Sequence, residues 1–405
     1  MAGVMHTDDV PARPQSVSER TRTGSTGDSP VPVGDPPTGR EKTSDLQKEA
    51  ESQTDAPPHS AGPVAQRDRP VACATQSRHR PLTVDDYVAG VSSGDRTLLA
   101  RAITLIESRS RRHESQAQEV LQRVLPETGK AKRIGITGSP GVGKSTFIET
   151  LGCLLTERGH RIAVLTIDPS SALSGGSILG DKTRMEKLSR DPNAFIRPSP
   201  SGDSLGGVAR KTRETILLCE AAGFDIVLVE SVGVGQTDVA LRSMVDFFML
   251  LLLPGAGDEL QGIKKGIVEM ADFVVINKAD GDNRFRAEQA RTEYSAALHY
   301  LQPATPSWST EVALASGQTG EGVPEAWQRV ELFYREQEPK GTIARRRQEQ
   351  SLEWLSDLLR DGLWRRFLNS ANVKTRLPAL QQAVLKGELT PVLAAKSILE
   401  EYKLC

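Results

Sequence analysis

The rhythm of apolar and polar positions changes at residues 80, 130 and 340. Over residues 1–80, Pro, Ser, Thr, Gly and charged residues dominate, and large apolar residues are sparse. Such a segment cannot bury enough surface to offset the entropy of ordering its backbone, so 1–80 is expected to be a disordered tail. From Thr83 apolar residues return at helical spacing: Val84, Tyr87 and Val88, then Leu98, Leu99, Ala102, Ile103 and Ile106. Asp95 is placed to cap the second helix, and 119–125 continues a third amphipathic stretch, so 81–130 reads as a helical lead-in. Between 131 and 340 the pattern alternates. Residues 134–137 read as a buried strand and 312–315 as the last one, and the apolar runs at 161–167, 225–229, 246–253 and 273–276 are too continuous for strands buried on one face only. That is the signature of an α/β fold, a mostly parallel sheet covered by helices on both faces. After 341 the chain turns charged and helical. Leu352, Leu355, Leu358, Leu359, Leu363, Trp364 and Phe367 form an apolar stripe, and a second helical part is expected over 377–402. With little sheet left to cover, 341–405 is predicted to be a hairpin arm whose stripe meets a second copy of the chain. The alternative is an arm folded back on its own domain.

The run at 138–145 reads Gly138-Ser139-Pro140-Gly141-Val142-Gly143-Lys144-Ser145. It falls between the apolar strand 134–137 and a helical stretch that starts at Thr146, which is where a phosphate-binding loop belongs. Glycines let backbone N–H groups curl round a phosphate chain, and the helix N-terminus adds partial positive charge. Lys144 is placed to neutralise the terminal phosphates, and Ser145 to put its hydroxyl on Mg²⁺.

Asn277-Lys278-Ala279-Asp280 follows the strand 273–276. A carboxylate at Asp280 accepts two N–H bonds from the Watson–Crick edge of guanine, a pair adenine does not offer. The base is therefore expected to be guanine. Ser316-Gly317-Gln318 follows the last strand, and a backbone N–H there is a weaker candidate for the guanine carbonyl.

Candidate metal and switch residues sit at other strand ends. Asp168 closes the second strand, where carboxylates face the ligand crevice, and is a candidate for Mg²⁺ or its waters. Asp181 ends a long small-residue loop of the kind that orders on a γ-phosphate. A capping role is the alternative for each aspartate. Glu230 ends the next strand and is placed to reach Mg²⁺ through water. Gly233 can give its N–H to a γ-phosphate. Gln236 either orients the attacking water or is an exposed loop glutamine. The charged, glycine-flanked loop 255–265 is long for a connector, and its Lys264 and Lys265 are candidates for phosphate or partner contact.

Taken together these residues resemble the MeaB/ArgK-type P-loop GTPases, the G-protein chaperones of methylmalonyl-CoA mutase. The resemblance spans 85–400. Its most specific stretches are 168–171, 174–185, 196–200, 230–236 and 257–266; ordinary phosphate-loop proteins share only the first loop and the guanine motif. It implies GTP/GDP binding by 138–146, Asp280 and 316–318, with Mg²⁺ near Ser145, Asp168, Asp181 and Glu230. It also implies a C-terminal helical dimerisation arm, hence a homodimer, and a partner-sensing switch in 257–266. The implied function is to gate adenosylcobalamin loading and to protect or reactivate a cobalamin-dependent acyl-CoA mutase by GTP hydrolysis. The long N-terminal tail departs from the usual family pattern.

Composition narrows the alternatives. A formal net charge of −1 gives no bulk drive toward nucleic acid or anionic lipid. The longest apolar run ends at Pro254, well short of the roughly 18–20 residues a membrane helix needs. Asp8 and Asp9 near the start, with no apolar core, fit neither a secretory signal nor an acidic-poor transit peptide. Four scattered cysteines, Cys73, Cys153, Cys219 and Cys405, fit a reducing compartment, so a cytoplasmic location is expected. A nickel-insertion GTPase would want a His/Cys-rich reservoir, yet the six histidines are scattered. A protein-targeting GTPase would want a methionine-rich groove, and the six methionines do not cluster. A kinase tied to arginine or ornithine transport is a further alternative, though no stretch resembles a guanidino-substrate site.

Overall fold

The longer apolar runs become central strands because both of their faces are covered, whereas the run at 312–315 forms a half-exposed strand at one edge of the sheet. The computed structural model describes residues 81–108, 110–167, 185–198, 205–231, 233, 236–255 and 265–402. Among these, seven strands form one sheet in which every pairing is parallel. They are β1 (Lys132–Gly138), β2 (Ile162–Ile167), β3 (Ala194–Arg197), β4 (Ile226–Ser231), β5 (Phe247–Leu252), β6 (Phe273–Ile276) and β7 (Glu311–Leu314), arranged β3-β2-β4-β1-β5-β6-β7. The short edge strand β3 has no counterpart among the runs expected above. Its few residues are too brief a signal against the polar segments around them.

β5 shows why the apolar runs are unbroken. Phe247, Met249 and Leu251 face one core, with Ile134, Ile136, Phe147, Leu151 and Trp327. Phe248, Leu250 and Leu252 face the other, with Leu99, Ile103, Val227 and Val229. Alternate side chains point to opposite faces, so a strand covered on both sides must be apolar at every position. The first core lies under α4 (Lys144–Glu157) and α10 (Val323–Gln337). The second receives α2 (Arg96–Glu107), α3 (Arg111–Val124) and α6 (Leu205–Ala221).

The lead-in helices begin at local caps. Thr83 and Asp86 form a capping box at the start of α1 (Val84–Ser92). The Asp95 carboxylate accepts the backbone N–H groups of Thr97 and Leu98 at the start of α2, as expected. Between α4 and the C-terminal helices lie α5 (Glu186–Arg190), α7 (Gln236–Arg242), α8 (Lys265–Glu269) and α9 (Arg284–Leu298).

The C-terminal region departs from a two-part hairpin. It holds α11 (Thr342–Asn369), α12 (Ala371–Leu385) and α13 (Pro391–Glu401), so the span 377–402 is not one helical piece. The break falls at Gly387, whose φ of 73° ends α12, and Thr390 then caps α13 with Pro391 in its first turn. The apolar stripe is also divided. Leu352, Leu355, Leu359, Leu363 and Trp364 are exposed, whereas Phe367 turns inward on Val373 and Ile398 in a small separate core.

The base of α11 is tied to the sheet by buried charge. Arg347 donates to both carboxylate oxygens of Asp246, at 2.8 and 2.6 Å. Tyr334 donates its hydroxyl to the same carboxylate at 2.9 Å. Arg346 lies 3.7 Å from Asp272, which also pairs with Arg242 at 2.6 Å. Both aspartates are fully buried at the N-terminal ends of β5 and β6.

Candidate nucleotide-binding site

The glycine-rich loop leaves the C-terminal end of β1, the strand at the middle of the sheet, and runs into α4. At Gly138 only glycine fits: its φ is 148°, and a Cβ there would lie 2.3 Å from the Leu251 carbonyl oxygen on β5. The loop therefore passes flush against the neighbouring strand before it opens at Ser139, Pro140 and Gly141. Val142 is buried beneath the loop. Lys144 begins α4, and its buried ammonium donates to the carbonyls of Gly138 (2.8 Å) and Ser139 (3.2 Å). Lys144 thus lies along the inside of the loop, within reach of whatever the loop encloses.

β4 brings its end to the same place. The Ser145 hydroxyl donates to a Glu230 carboxylate oxygen at 3.2 Å. Two oxygen donors of this kind, one hydroxyl and one carboxylate beside a phosphate loop, suit the hard, oxygen-preferring Mg²⁺ ion. Gly233 folds over the loop so closely that a Cβ would lie 1.9 Å from the Gly138 carbonyl oxygen, and its φ is 80°. Asp168, Asp181 and Lys264 lie outside the described residues, as does the Gln236 side chain at the start of α7.

The candidate base-recognition residues form a second cluster, joined to the loop by Asn277. This buried amide donates to the Val142 carbonyl (2.8 Å) and accepts the Gly317 N–H (3.0 Å). One side chain thus holds the phosphate loop, the end of β6 and the loop after β7 in register. The next residue, Lys278, is exposed at φ 59°, an uncommon conformation for a non-glycine residue. The Ala279 N–H bonds the Ala315 carbonyl at 3.0 Å. Asp280 lines an open cleft of about 740 Å³ with Gly281, Arg284, Thr319, Gly320 and Glu321. Arg284 and Glu321 are paired at its rim at 2.5 Å. Ser316 is buried, and its hydroxyl accepts the Thr319 N–H at 3.1 Å. Gln318 and Thr146 line a neighbouring groove of about 460 Å³, which shares Thr319 and Gly320 with the Asp280 cleft. Cys153 also borders that groove, where burial and nearby Glu149 push its thiol pKa up. A thiol of raised pKa in that setting packs and is a poor nucleophile.

Three polar residues beneath the loop escaped the sequence reading. Thr137, Ser231 and Asp238 meet in a buried triangle: Thr137 and Ser231 hydroxyls lie 2.7 Å apart, and the Asp238 carboxylate accepts from them at 2.5 and 2.6 Å. Thr137 directly precedes Gly138, and Ser231 directly follows Glu230, but pairing between residues so distant in sequence leaves no local pattern. Thr150 was missed for the same reason; its hydroxyl donates to the Gly317 carbonyl at 2.5 Å.

A parallel sheet with a glycine loop on its central strand, a helix after it and a base cleft beyond β6 defines a P-loop nucleoside triphosphatase. A family model described as methylmalonyl-CoA mutase-associated GTPase MeaB matches residues 99–372. A putative GTPase of Caulobacter vibrioides is 53% identical over 324 residues, covering 80% of this chain and 99% of its own length. The methylmalonic aciduria type A homolog, mitochondrial, of Mus musculus is 47% identical over 330 residues, covering 79% of this chain and 80% of that one. A solved structure described as a LAO/AO transport system kinase has a TM-score of 0.65 at 36% identity, covering 79% of this chain and 98% of its own. The chain belongs to the MeaB family of GTPases and is a GTP hydrolase.

Proposed function

We propose that this GTPase is a G-protein chaperone of a cobalamin-dependent acyl-CoA mutase, methylmalonyl-CoA mutase first among them. In this reading it gates entry of adenosylcobalamin and protects or reactivates the mutase, acting as a cytoplasmic homodimer. The observation that carries the proposal is the family match over 99–372, whose description names that mutase association. The mouse relative, named for methylmalonic aciduria, supports it. The exposed Leu352, Leu355, Leu359, Leu363 and Trp364 on α11 support a second copy of the chain as the cover for the arm. The division into a tail (1–80), lead-in (81–130), GTPase domain (131–340) and arm (341–405) belongs to the same reading.

The residues divide the chemistry between them. Backbone N–H groups of 138–146 hold the phosphates, and Lys144 offsets their charge. Ser145 and Glu230, with Asp168 and Asp181, would hold Mg²⁺, which supplies charge neutralisation and orientation of the β- and γ-phosphate oxygens. Gly233 offers its N–H to the γ-phosphate, and Gln236 orients the water whose attack releases inorganic phosphate and GDP. Lys264 acts at the phosphates or senses the client. Asp280 reads guanine, and Asn277, Lys278 and 316–318 shape its pocket.

The experiment is copurification from the native cell, followed by GTPase assay with and without the recovered mutase. The expected result is recovery of an acyl-CoA mutase that accelerates GTP turnover. Recovery of no mutase, or of one that leaves turnover unchanged, defeats the chaperone reading while leaving the GTPase intact.

A further inference from the structure

Asp238 is fully buried on α7, directly beneath the loop that Gly138 opens. Its Oδ1 takes the hydroxyl of Ser231 at 2.6 Å. A lone pair on the same Oγ serves a further donor. That donor is the Gly233 N–H, at 3.3 Å. The same carboxylate oxygen takes the Thr137 hydroxyl at 2.5 Å, the residue that leads into Gly138. One carboxylate thus bonds to the foundation of the phosphate loop and, through one serine, to Gly233. The two ends of this chain also touch: Gly233 leaves no room for a Cβ against the Gly138 carbonyl. Burying a carboxylate among hydroxyls is costly, and packing alone would be served as well by an apolar side chain.

From this geometry we infer that Asp238 is a positioning residue for GTP hydrolysis. Through Ser231 it fixes the backbone at Gly233 beside the phosphate loop, and the Gly233 N–H exchanges Ser231 Oγ for the γ-phosphate when GTP binds. The inference rests on the placement of the phosphates in 138–146 proposed above. GDP, which lacks the γ-phosphate, does not need Gly233, so the residue acts on turnover and leaves diphosphate binding alone.

The test uses the full-length protein with fluorescent GDP and steady-state GTP turnover. For Asp238→Ala, kcat is expected to fall about a hundredfold, the scale on which small misplacements act, with GDP affinity held within about threefold. Thr137→Val combined with Ser231→Ala should lower kcat similarly, and adding Asp238→Ala to that pair should cost little more, because the three act as one unit. A kcat for Asp238→Ala within about twofold of the parent, or above it, overturns the inference. So does a loss of GDP affinity as large as the loss of kcat, which marks a purely structural role. If Asp238→Ala fails to melt cooperatively, Ser231→Ala, which removes a single hydroxyl, carries the same expectations and the same refutations. Lys144→Ala separates this from the phosphate-site assignment. If Lys144→Ala keeps normal turnover, the site assignment fails. If Lys144→Ala is inactive while Asp238→Ala is normal, only the role of Asp238 fails.

Discussion

At the scale of single residues, the candidate site depends on a few side chains that each serve two partners. Asn277 is one. Replacing it with Ala leaves the Val142 carbonyl and the Gly317 N–H without their amide partner. Each buried orphan costs about 1–3 kcal/mol, so Asn277→Ala should lose about 3 kcal/mol of stability in urea unfolding, together with nucleotide affinity. A loss under about 1 kcal/mol would show that water replaces the amide. Lys144 differs, because its bonds to the Gly138 and Ser139 carbonyls are local. Lys144→Ala should leave the melting temperature nearly unchanged while GTP binding weakens by about 1.5–3 kcal/mol, the range for a hydrogen bond to a charged group. Isothermal titration decides this, and near-parent affinity would remove Lys144 from the site. For Asp280, which lines the base cleft, substitution by Asn replaces one acceptor oxygen with a donor. The ratio of GTP to ATP affinity should then fall, and an unchanged ratio would mean the base is read elsewhere.

At the scale of elements, the strands are legible in the sequence and the C-terminal helices only in part. Runs such as 246–253 announced buried strands because nearly every position is apolar, which only a two-sided cover explains. The β3 strand was missed because four residues at a sheet edge carry almost no pattern. The break between α12 and α13 was missed because it depends on one glycine conformation and one capping threonine inside a helical composition. The anchoring of α11 was not legible at all, since Arg347 and Asp246 meet only after the sheet has formed. That anchor predicts a large effect. Asp246→Ala leaves the Arg347 guanidinium buried without its carboxylate and should cost about 3–5 kcal/mol in chemical denaturation. Arg347→Lys should restore little of what Arg347→Ala loses, because an ammonium cannot make the paired bonds. Full recovery by lysine would show that charge alone holds the helix.

At the scale of the whole molecule, the proposed dimer and the client make the sharpest claims. The exposed leucines of α11 recur along one helical face, from Leu352 through Leu355 and Leu359 to Leu363. If a second copy covers that face, the double substitution Leu355→Glu and Leu359→Glu should shift the protein from dimer to monomer in sedimentation velocity, with the GTPase fold retained by circular dichroism. A parent protein that sediments as a monomer would free the face for another partner. Among the described residues no helix is long and apolar enough to cross a membrane. If the proposed client is an acyl-CoA mutase, GTP turnover should rise when that mutase is added, and unchanged turnover would count against the pairing.

The order of residues along the chain was enough to determine the class of fold and to single out the glycine-rich loop 138–145 and Asp280 as candidates for phosphate and base. Each of these is a local pattern whose spacing is set by strand pleat, helix turn or loop glycine. The tertiary structure alone decided which side chains share a hydrogen bond: Asn277 with Val142 and Gly317, Asp238 with Thr137 and Ser231, Arg347 with Asp246. Those contacts join residues from distant strands and helices. They exist only once β4, β1, β5, β6 and β7 lie side by side, and no local periodicity carries their imprint.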